Sequence, residues 1–334
     1  MPWGVNYDHD EQGRLLEQYW YSDWPTVDAD FNEIKTLGAN VVRIHLQTGS
    51  FMDTASEPNK TALEQLKRLL KLAEKTGLYL DITGLACYRA PDVPAWYEAL
   101  DEAARWQTQA VFWEAIAKTC ADSNAVFCYD LMNEPVVGGP DNGPSKWLAG
   151  EGFGGYYFVQ RIAYDLAGRS REDIARAWVD KLVAAIRKHD NDHLITVGVI
   201  PWAMVWPNAK PIFYSPQVSR NLDIACVHFY PKAGQIDKAL QALKVYDINK
   251  PLIIEEMFPL GCSIEELNSF IDRSKGTADG WISFYWGKTP QEYESDANDL
   301  ASAIKKEWLK YFSKKKSDMD KKITNIEFIK EKQK

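Results

Sequence analysis

Ala125-Val-Phe-Cys-Tyr-Asp-Leu-Met132, closed by Asn133-Glu134-Pro135, is the stretch on which the fold of this chain turns. A short apolar run without a helical period reads as a strand buried on both faces. Pro135 lacks the amide donor the ladder needs next, so the strand ends at the tripeptide. A second run of the same kind, Pro251-Leu-Ile-Ile-Glu-Glu256, also ends in carboxylates. Two separate strands thus deliver acidic groups from their carboxyl ends.

Working outward, short apolar runs alternate with helical patterns. The strands are expected at Trp3–Tyr7, Asn40–Leu46, Leu78–Thr83, Val126–Met132, Leu194–Val199, Ile224–Tyr230, Leu252–Glu256 and Trp281–Trp286. Between them, apolar residues recur at three and four over Val27–Leu37, Thr61–Thr76, Ala103–Ala121, Ser170–His189, Gln235–Val245, Ser263–Lys275 and Asp296–Phe312. Ser170 with Asp173 and Ser263 with Glu266 form capping pairs, and Gly38 and Gly77 stand where helices should end. Eight strands in alternation with helices predict an α/β fold, a single (β/α)8 TIM barrel over residues 1–312. The fifth helix, between Val199 and Ile224, has no clear pattern. No G-x-G-x-x-G follows the first strand, which sets aside an open dinucleotide-binding sheet. The connection Val136–Arg169, after strand four, is rich in glycine and long for a compact domain; such a loop is expected to wall a cleft.

Net charge is −8, and the segment from Ser313 to Lys334 holds eight Lys against four acids, so the remainder stands near −12. That balance excludes a nucleic-acid partner for the barrel. The Lys-rich tail, residues 313–334, is expected to be disordered. Cys87, Cys120, Cys128, Cys226 and Cys262 are odd in number and scattered, which favours buried thiols over a disulfide framework. No apolar run reaches the ~18 residues of a membrane span. The opening Met-Pro-Trp-Gly enters a strand at once, so the chain is expected to be cytoplasmic, or secreted with its leader already removed. It is expected to act as a monomer, without cofactor or metal. His189 and His193 flank Asp190-Asn191-Asp192 at a turn, where local pairing is the expectation.

In a barrel the chemistry sits at the carboxyl ends of the strands. Strand two carries Arg43 and His45, and a buried Arg demands a carboxylate partner. Strand six ends in His228-Phe229-Tyr230, with His228 and Tyr230 on one face. Strand eight ends in Phe284-Tyr285-Trp286, and Trp286 at the mouth would offer a flat floor for a sugar ring. The thirteen Trp and sixteen Tyr exceed what core packing needs and suit a carbohydrate cleft. Paired carboxylates of this kind perform glycosidic bond cleavage, one as acid/base and one as nucleophile or water activator. With Leu252 and Ile254 facing inward, alternation turns Glu256 inward and Glu255 outward.

Together these residues resemble glycoside hydrolase family 5 of clan A, the retaining cellulase and mannanase barrels. The resemblance covers most of Trp3–Phe312 and rests on Gly4-Val5-Asn6, Arg43, Asn133-Glu134-Pro135, His228-Phe229-Tyr230, Lys250-Pro251 with Glu256, and Trp286. It implies Glu134 as acid/base, Glu256 as nucleophile, Asn133 on the sugar 2-hydroxyl, Arg43 and Tyr230 supporting the nucleophile, His228 beside the acid/base and Trp286 under the cleaved sugar. The implied substrate is a β-linked polysaccharide or oligosaccharide, β-1,4-glucan or mannan, cleaved by double displacement. The alternatives are a non-catalytic carbohydrate-binding barrel and an exo-acting β-glycosidase or transglycosidase. The family usually has a His at the end of strand three; here Thr83 stands there, and His45 is the residue that would fill its space. In the long loop, Trp147, Glu151, Phe153 and Tyr156 are expected over Glu134, and Trp202 and Trp206 are expected as further sugar platforms.

Overall fold

The computed structural model describes residues 1–332 except 8–9, 11, 140–142, 151–153, 208, 285 and 296–299, with side chains up to residue 318 other than 295. The barrel strands are β1 (Trp3–Tyr7), β2 (Val41–Gln47), β3 (Tyr79–Ala86), β4 (Val126–Asp130), the pair β8 (Leu194–Thr196) and β9 (Gly198–Val199), β10 (Ala225–His228), β11 (Leu252–Met257) and β12 (Gly280–Ser283). All their pairings are parallel, in the order β8-β4-β3-β2-β1-β12-β11-β10-β9. Segments β8 and β9 are two halves of one strand: the first pairs with β4, the second with β10, and the ring closes through them.

Among the described residues, seven helices of at least eight residues follow strands: α1 (Trp24–Thr36), α2 (Lys60–Thr76), α3 (Glu102–Cys120), α4 (Arg171–Arg187), α5 (Ile236–Leu243), α6 (Ile264–Ser274) and α7 (Leu300–Lys332). Local chemistry fixes their ends. The Asn59 side chain caps α2, which stops at Gly77 in the left-handed conformation, φ 67°. Ser263 and Glu266 form a complete capping box on α6. Where a fifth barrel helix was expected there is one turn, Trp202–Val205, and a 3-10 turn, Ser219–Asn221.

The long connection departs from the sequence reading: it carries its own three-stranded sheet, with β5 (Pro135–Val137) and β6 (Leu148–Ala149) either side of β7 (Val159–Ala163). Helix α7 runs through Ser313 to Lys332. Residues 313–334 contain neither Gly nor Pro, so nothing breaks the helix. Lys315 ties its first tail turn to α6, 2.6 Å from Asp272 and from Asn268.

The main core lies between strands and helices. Inside the barrel, Val41, Cys128, Ile224, Cys226, Ile253 and Ile282 form an apolar floor. Above that floor the interior is polar: Asn6, Arg43, Asp81, Asp130, Thr196 and Glu255 are all buried. A barrel interior of this kind holds together only if its charges compensate one another.

Candidate active site

Glu256 reaches the barrel mouth through an irregularity in β11. Val227 of β10 opposes Ile254, yet the next residue, His228, opposes Glu256. On the other side Trp281 opposes Ile254 and Ser283 opposes Met257. One residue of β11 is therefore extra to both neighbours, and that residue is Glu255. Such a bulge breaks the two-residue alternation, so consecutive side chains point the same way. Glu255 is fully buried, 3.6 Å from Arg43 and 3.3 Å from His228, rather than facing the helices as simple alternation predicts. Asn6 stabilises the bulge by donating Nδ2–H to the carbonyls of Glu255 and Ser283, each at 3.1 Å.

Glu134 is aimed by a different device. It has φ 47°, the left-handed region that a residue with a Cβ avoids, at a cost of order 1–3 kcal/mol. The conformation is held because its amide donates to the Gly198 carbonyl at 2.9 Å. Its carboxylate accepts from His228 Nδ1 at 2.8 Å. One oxygen of Glu134, one of Glu256 and a ring nitrogen of His228 all lie within 4.8 Å of one another.

Arg43 organises what lies beneath. Its Nη1 donates to Glu256 at 2.6 Å and to Asn6 at 3.0 Å; its Nη2 donates to Asp130 at 2.8 Å and Asn133 at 2.9 Å. Asp130 also accepts from the Thr83 hydroxyl at 2.9 Å and the Gly198 amide at 2.8 Å. Burial alone would lower the pKa of Arg43, but Glu255, Asp130 and Glu256 outweigh it and keep the guanidinium charged. Burial and the Glu255 charge push Asp130 up to about 6, against the pull of Arg43. His228 is likewise opposed by burial, yet Glu256, Glu134 and Glu255 raise it to about 10. The ring is thus an imidazolium at neutral pH. Tyr230 is raised by burial and by Glu256, so its hydroxyl keeps its proton and donates to Glu256 at 2.6 Å.

The structure thus brings Glu134, Glu256, Arg43, Asn133, His228 and Tyr230 together. Asn133 has one amide hydrogen engaged by the Phe158 carbonyl at 2.9 Å. His45 sits one layer back: its Nε2 contacts Asn6 at 3.1 Å and its Nδ1 meets the Tyr88 hydroxyl.

Two of the Trp residues expected to face sugar lie elsewhere. Trp286 is buried away from the mouth, in the wedge with Glu33, Leu37 and Leu309 of the helical layer, and its amide bonds to the Asn6 carbonyl at 2.7 Å. Strand β12 ends at Ser283, so alternation no longer governs Trp286. Trp147 is buried too, its ring against the Arg105 guanidinium at 4.6 Å, with Tyr97 on the other side at 3.7 Å. The small sheet turns it toward α3 and away from Glu134. Trp202 is the only one of the three with substantial exposure, 39%, and its ring pairs with Trp206 at 5.3 Å. Tyr156 donates to the Gly13 carbonyl at 2.6 Å and stacks on Phe158. Glu151 and Phe153 lie outside the described residues. His193 pairs with Asp190 at 2.6 Å, as the turn implies.

Sequence reasoning missed Glu255, Asp130, Gly198 and the aromatic pair Phe158 and Phe284. Asp130 ends β4, four residues before Glu134, and its inward parity was the available signal. Gly198 is required by space: a Cβ there would lie 2.3 Å from Glu255 Oε2 and 2.8 Å from His228 Nε2. The Phe284 ring lies 6.3 Å from those of both Tyr230 and Phe158.

The fold is shared with solved glycoside hydrolases at low identity. An exo-β-1,4-mannosidase from Opitutaceae bacterium strain TAV5 aligns with TM-score 0.69 and 17% identity over 96% of this chain, which spans 60% of that enzyme's length. A GH5_18 protein of Streptomyces cattleya, solved with Manβ1-4GlcNAc, aligns with TM-score 0.64 and 16% identity over 86% of this chain and 71% of its own. A β-1,4-mannanase of the sea hare Aplysia kurodai gives 0.58 and 16% over 85% and 86%. No curated protein matches. The Cellulase family, glycosyl hydrolase family 5, matches residues 6–260, about three quarters of the chain, and with that match the protein belongs to glycosyl hydrolase family 5.

Proposed function

We propose that this protein is a retaining β-glycosidase acting on β-linked mannosides. The observation that carries the reading is the approach of the two carboxyl groups, with oxygens of Glu134 and Glu256 within 4.8 Å. Retaining enzymes hold the pair roughly 5–5.5 Å apart, whereas inversion needs about 6.5–9.5 Å to admit a water. Glu256, bonded by Arg43 and Tyr230, is aimed at the mouth: the nucleophile. Glu134, bonded to the His228 cation, delivers its proton to the departing oxygen while the anomeric carbon bonds to Glu256. Water then attacks the glycosyl ester, and Glu134 takes its proton. Both acid groups persist, which speaks against a non-catalytic sugar-binding barrel. The mannoside reading is supported by the exo-mannosidase and by the Manβ1-4GlcNAc-bound structure among the neighbours.

Trp202 and Trp206 would receive the leaving group. They border a cavity of about 670 Å³ whose walls begin at Pro135 and Val199, the residues following Glu134 and Gly198. The test is hydrolysis of β-mannobiose and aryl β-mannosides followed by NMR. The β-anomer of mannose should appear first. Glu256→Ala should be inactive and, with azide, should yield the α-mannosyl azide. First release of α-mannose, or full activity in Glu256→Ala, would overturn the assignment.

A further inference from the structure

Glu255 is a buried acid that the double displacement does not use, and its surroundings are specific. One oxygen, Oε2, lies 3.3 Å from His228 Nε2 and 3.6 Å from Arg43. The other, Oε1, has no hydrogen-bond partner among the described residues, and neither does Oδ2 of Asp81. Carboxyl oxygens of Asp81 and Glu255 lie within 4.8 Å of each other and of Cys128 Sγ, and the thiol occupies the other Asp81 oxygen at 3.2 Å. Two buried carboxyl groups in contact, each with an unpartnered oxygen, are costly unless a proton is shared between them. One proton resident on Asp81 satisfies both. Asp81 is indeed raised well above the usual carboxylate range by burial and then by Glu255, while Glu255 is lowered against its own burial by Arg43 and His228.

The groups then form a line: Asp81–H, Glu255 carboxylate, His228, Glu134. Resting on the reading that Glu134 is the acid/base, we propose that Glu255 is a positioning residue. Its buried charge holds His228 doubly protonated, so that Nδ1–H always donates to Glu134 and stabilises the carboxylate left when Glu134 has given up its proton. Other charges facing His228 are Glu134 and Glu256 on the Nδ1 side; those facing Glu255 are Arg43 and Asp81, with Asp130 and Cys226 nearby. Without Glu255 the Nε2 side of the ring has no counter-charge. A neutral ring could then accept from Glu134 and oppose proton delivery.

Nitrogen NMR of the His228 ring in the full chain tests this independently of turnover. The wild-type ring should stay doubly protonated through pH 8, and in Glu255→Gln its titration should fall by at least about two pH units. Asp81→Asn, whose amide can donate to Glu255 as the acid does, should titrate like wild type. A wild-type ring that loses its proton below pH 8, or one unmoved in Glu255→Gln, would overturn the proposal; the first result needs no variant to fold. Kinetics supply the second arm. Glu255→Gln should lose at least about 10-fold in kcat/KM on mannobiose but less than about 3-fold on a dinitrophenyl mannoside, whose leaving group needs no acid. Equal losses on both would make Glu255 merely structural. A wild type inactive on both substrates would instead refute the glycosidase reading and leave the ring titration as the deciding measurement.

Discussion

The amide of Glu134 donates to the carbonyl of Gly198, and Gly198 in turn donates to Asp130. The left-handed turn that aims the Glu134 carboxyl therefore depends on a residue with no side chain, on a neighbouring strand. Gly198→Ala would drive a methyl group into Glu255 and His228. We expect a loss of more than about 2 kcal/mol of stability, with activity falling further than stability alone explains. Urea unfolding and kcat at a temperature where the variant is folded check both.

Arg43 is the single guanidinium among Asp130, Glu255 and Glu256, and all its Nη hydrogens are engaged. Arg43→Met leaves buried carboxylates uncompensated, which costs about 3–5 kcal/mol. Lowering pH should restore part of the loss, since the stranded acids can then take up protons. A variant as stable as wild type at pH 7.5 would show that the interior charges are balanced in another way.

The reassignment of the aromatic floor gives opposite expectations for two neighbours. Trp286→Ala removes a buried ring from the helical layer and should cost about 3–5 kcal/mol, with little change in KM once folded. Phe284→Ala, beside Tyr230, should raise KM for a mannoside several-fold while leaving the unfolding midpoint within a few degrees of wild type. The pair of measurements, run on both variants, separates packing from substrate contact.

Glu17 supplies a pH dependence unrelated to catalysis. Burial raises its pKa from 4.5 to about 7, against the Gln47 amide that bonds its Oε1 at 2.6 Å. A carboxyl raised in the folded state favours folding below its unfolded value, and that advantage is lost as pH rises from 4.5 to about 7. Unfolding free energy should fall by about 3 kcal/mol over this window on account of Glu17. Glu17→Gln, which keeps the acceptor for Gln47, should remove that part of the slope and be the more stable protein at pH 8.

Much of this was legible in the residues themselves. Strand positions, the caps at Ser170 and Ser263, and the order Arg43, Asn133-Glu134, His228, Tyr230, Glu256 all follow from local pattern and carry over into three dimensions. The inward turn of Glu255 was not legible, because a bulge is fixed by pairing with β10 and β12 and leaves no mark in Leu-Ile-Ile-Glu-Glu. Trp286 was misplaced because nothing in Phe284-Tyr285-Trp286 announces that the strand stops at Ser283. Trp147 was assigned to a loop whose glycines concealed a sheet. The absent fifth helix, by contrast, was visible as missing periodicity.

The sheet β5–β7 is fastened to the barrel through its middle strand and the residues that lead into it. Asn133 holds the Phe158 carbonyl, Gln160 reaches the Leu85 carbonyl at 2.9 Å, and Trp106 bonds the Ile162 carbonyl at 2.7 Å. Between Val137 and Phe158 the contacts with the barrel also lie away from Glu134 and Glu256: Tyr156 bonds the Gly13 carbonyl, the Tyr157 amide bonds the Tyr88 carbonyl at 2.7 Å, and Trp147 packs on Arg105. That makes the segment an interchangeable cassette: it can be lengthened, shortened or exchanged between homologues while the anchors keep Asn133 and Glu134 in register. Changes in which sugars are accepted can therefore accumulate here without rebuilding the machinery beneath.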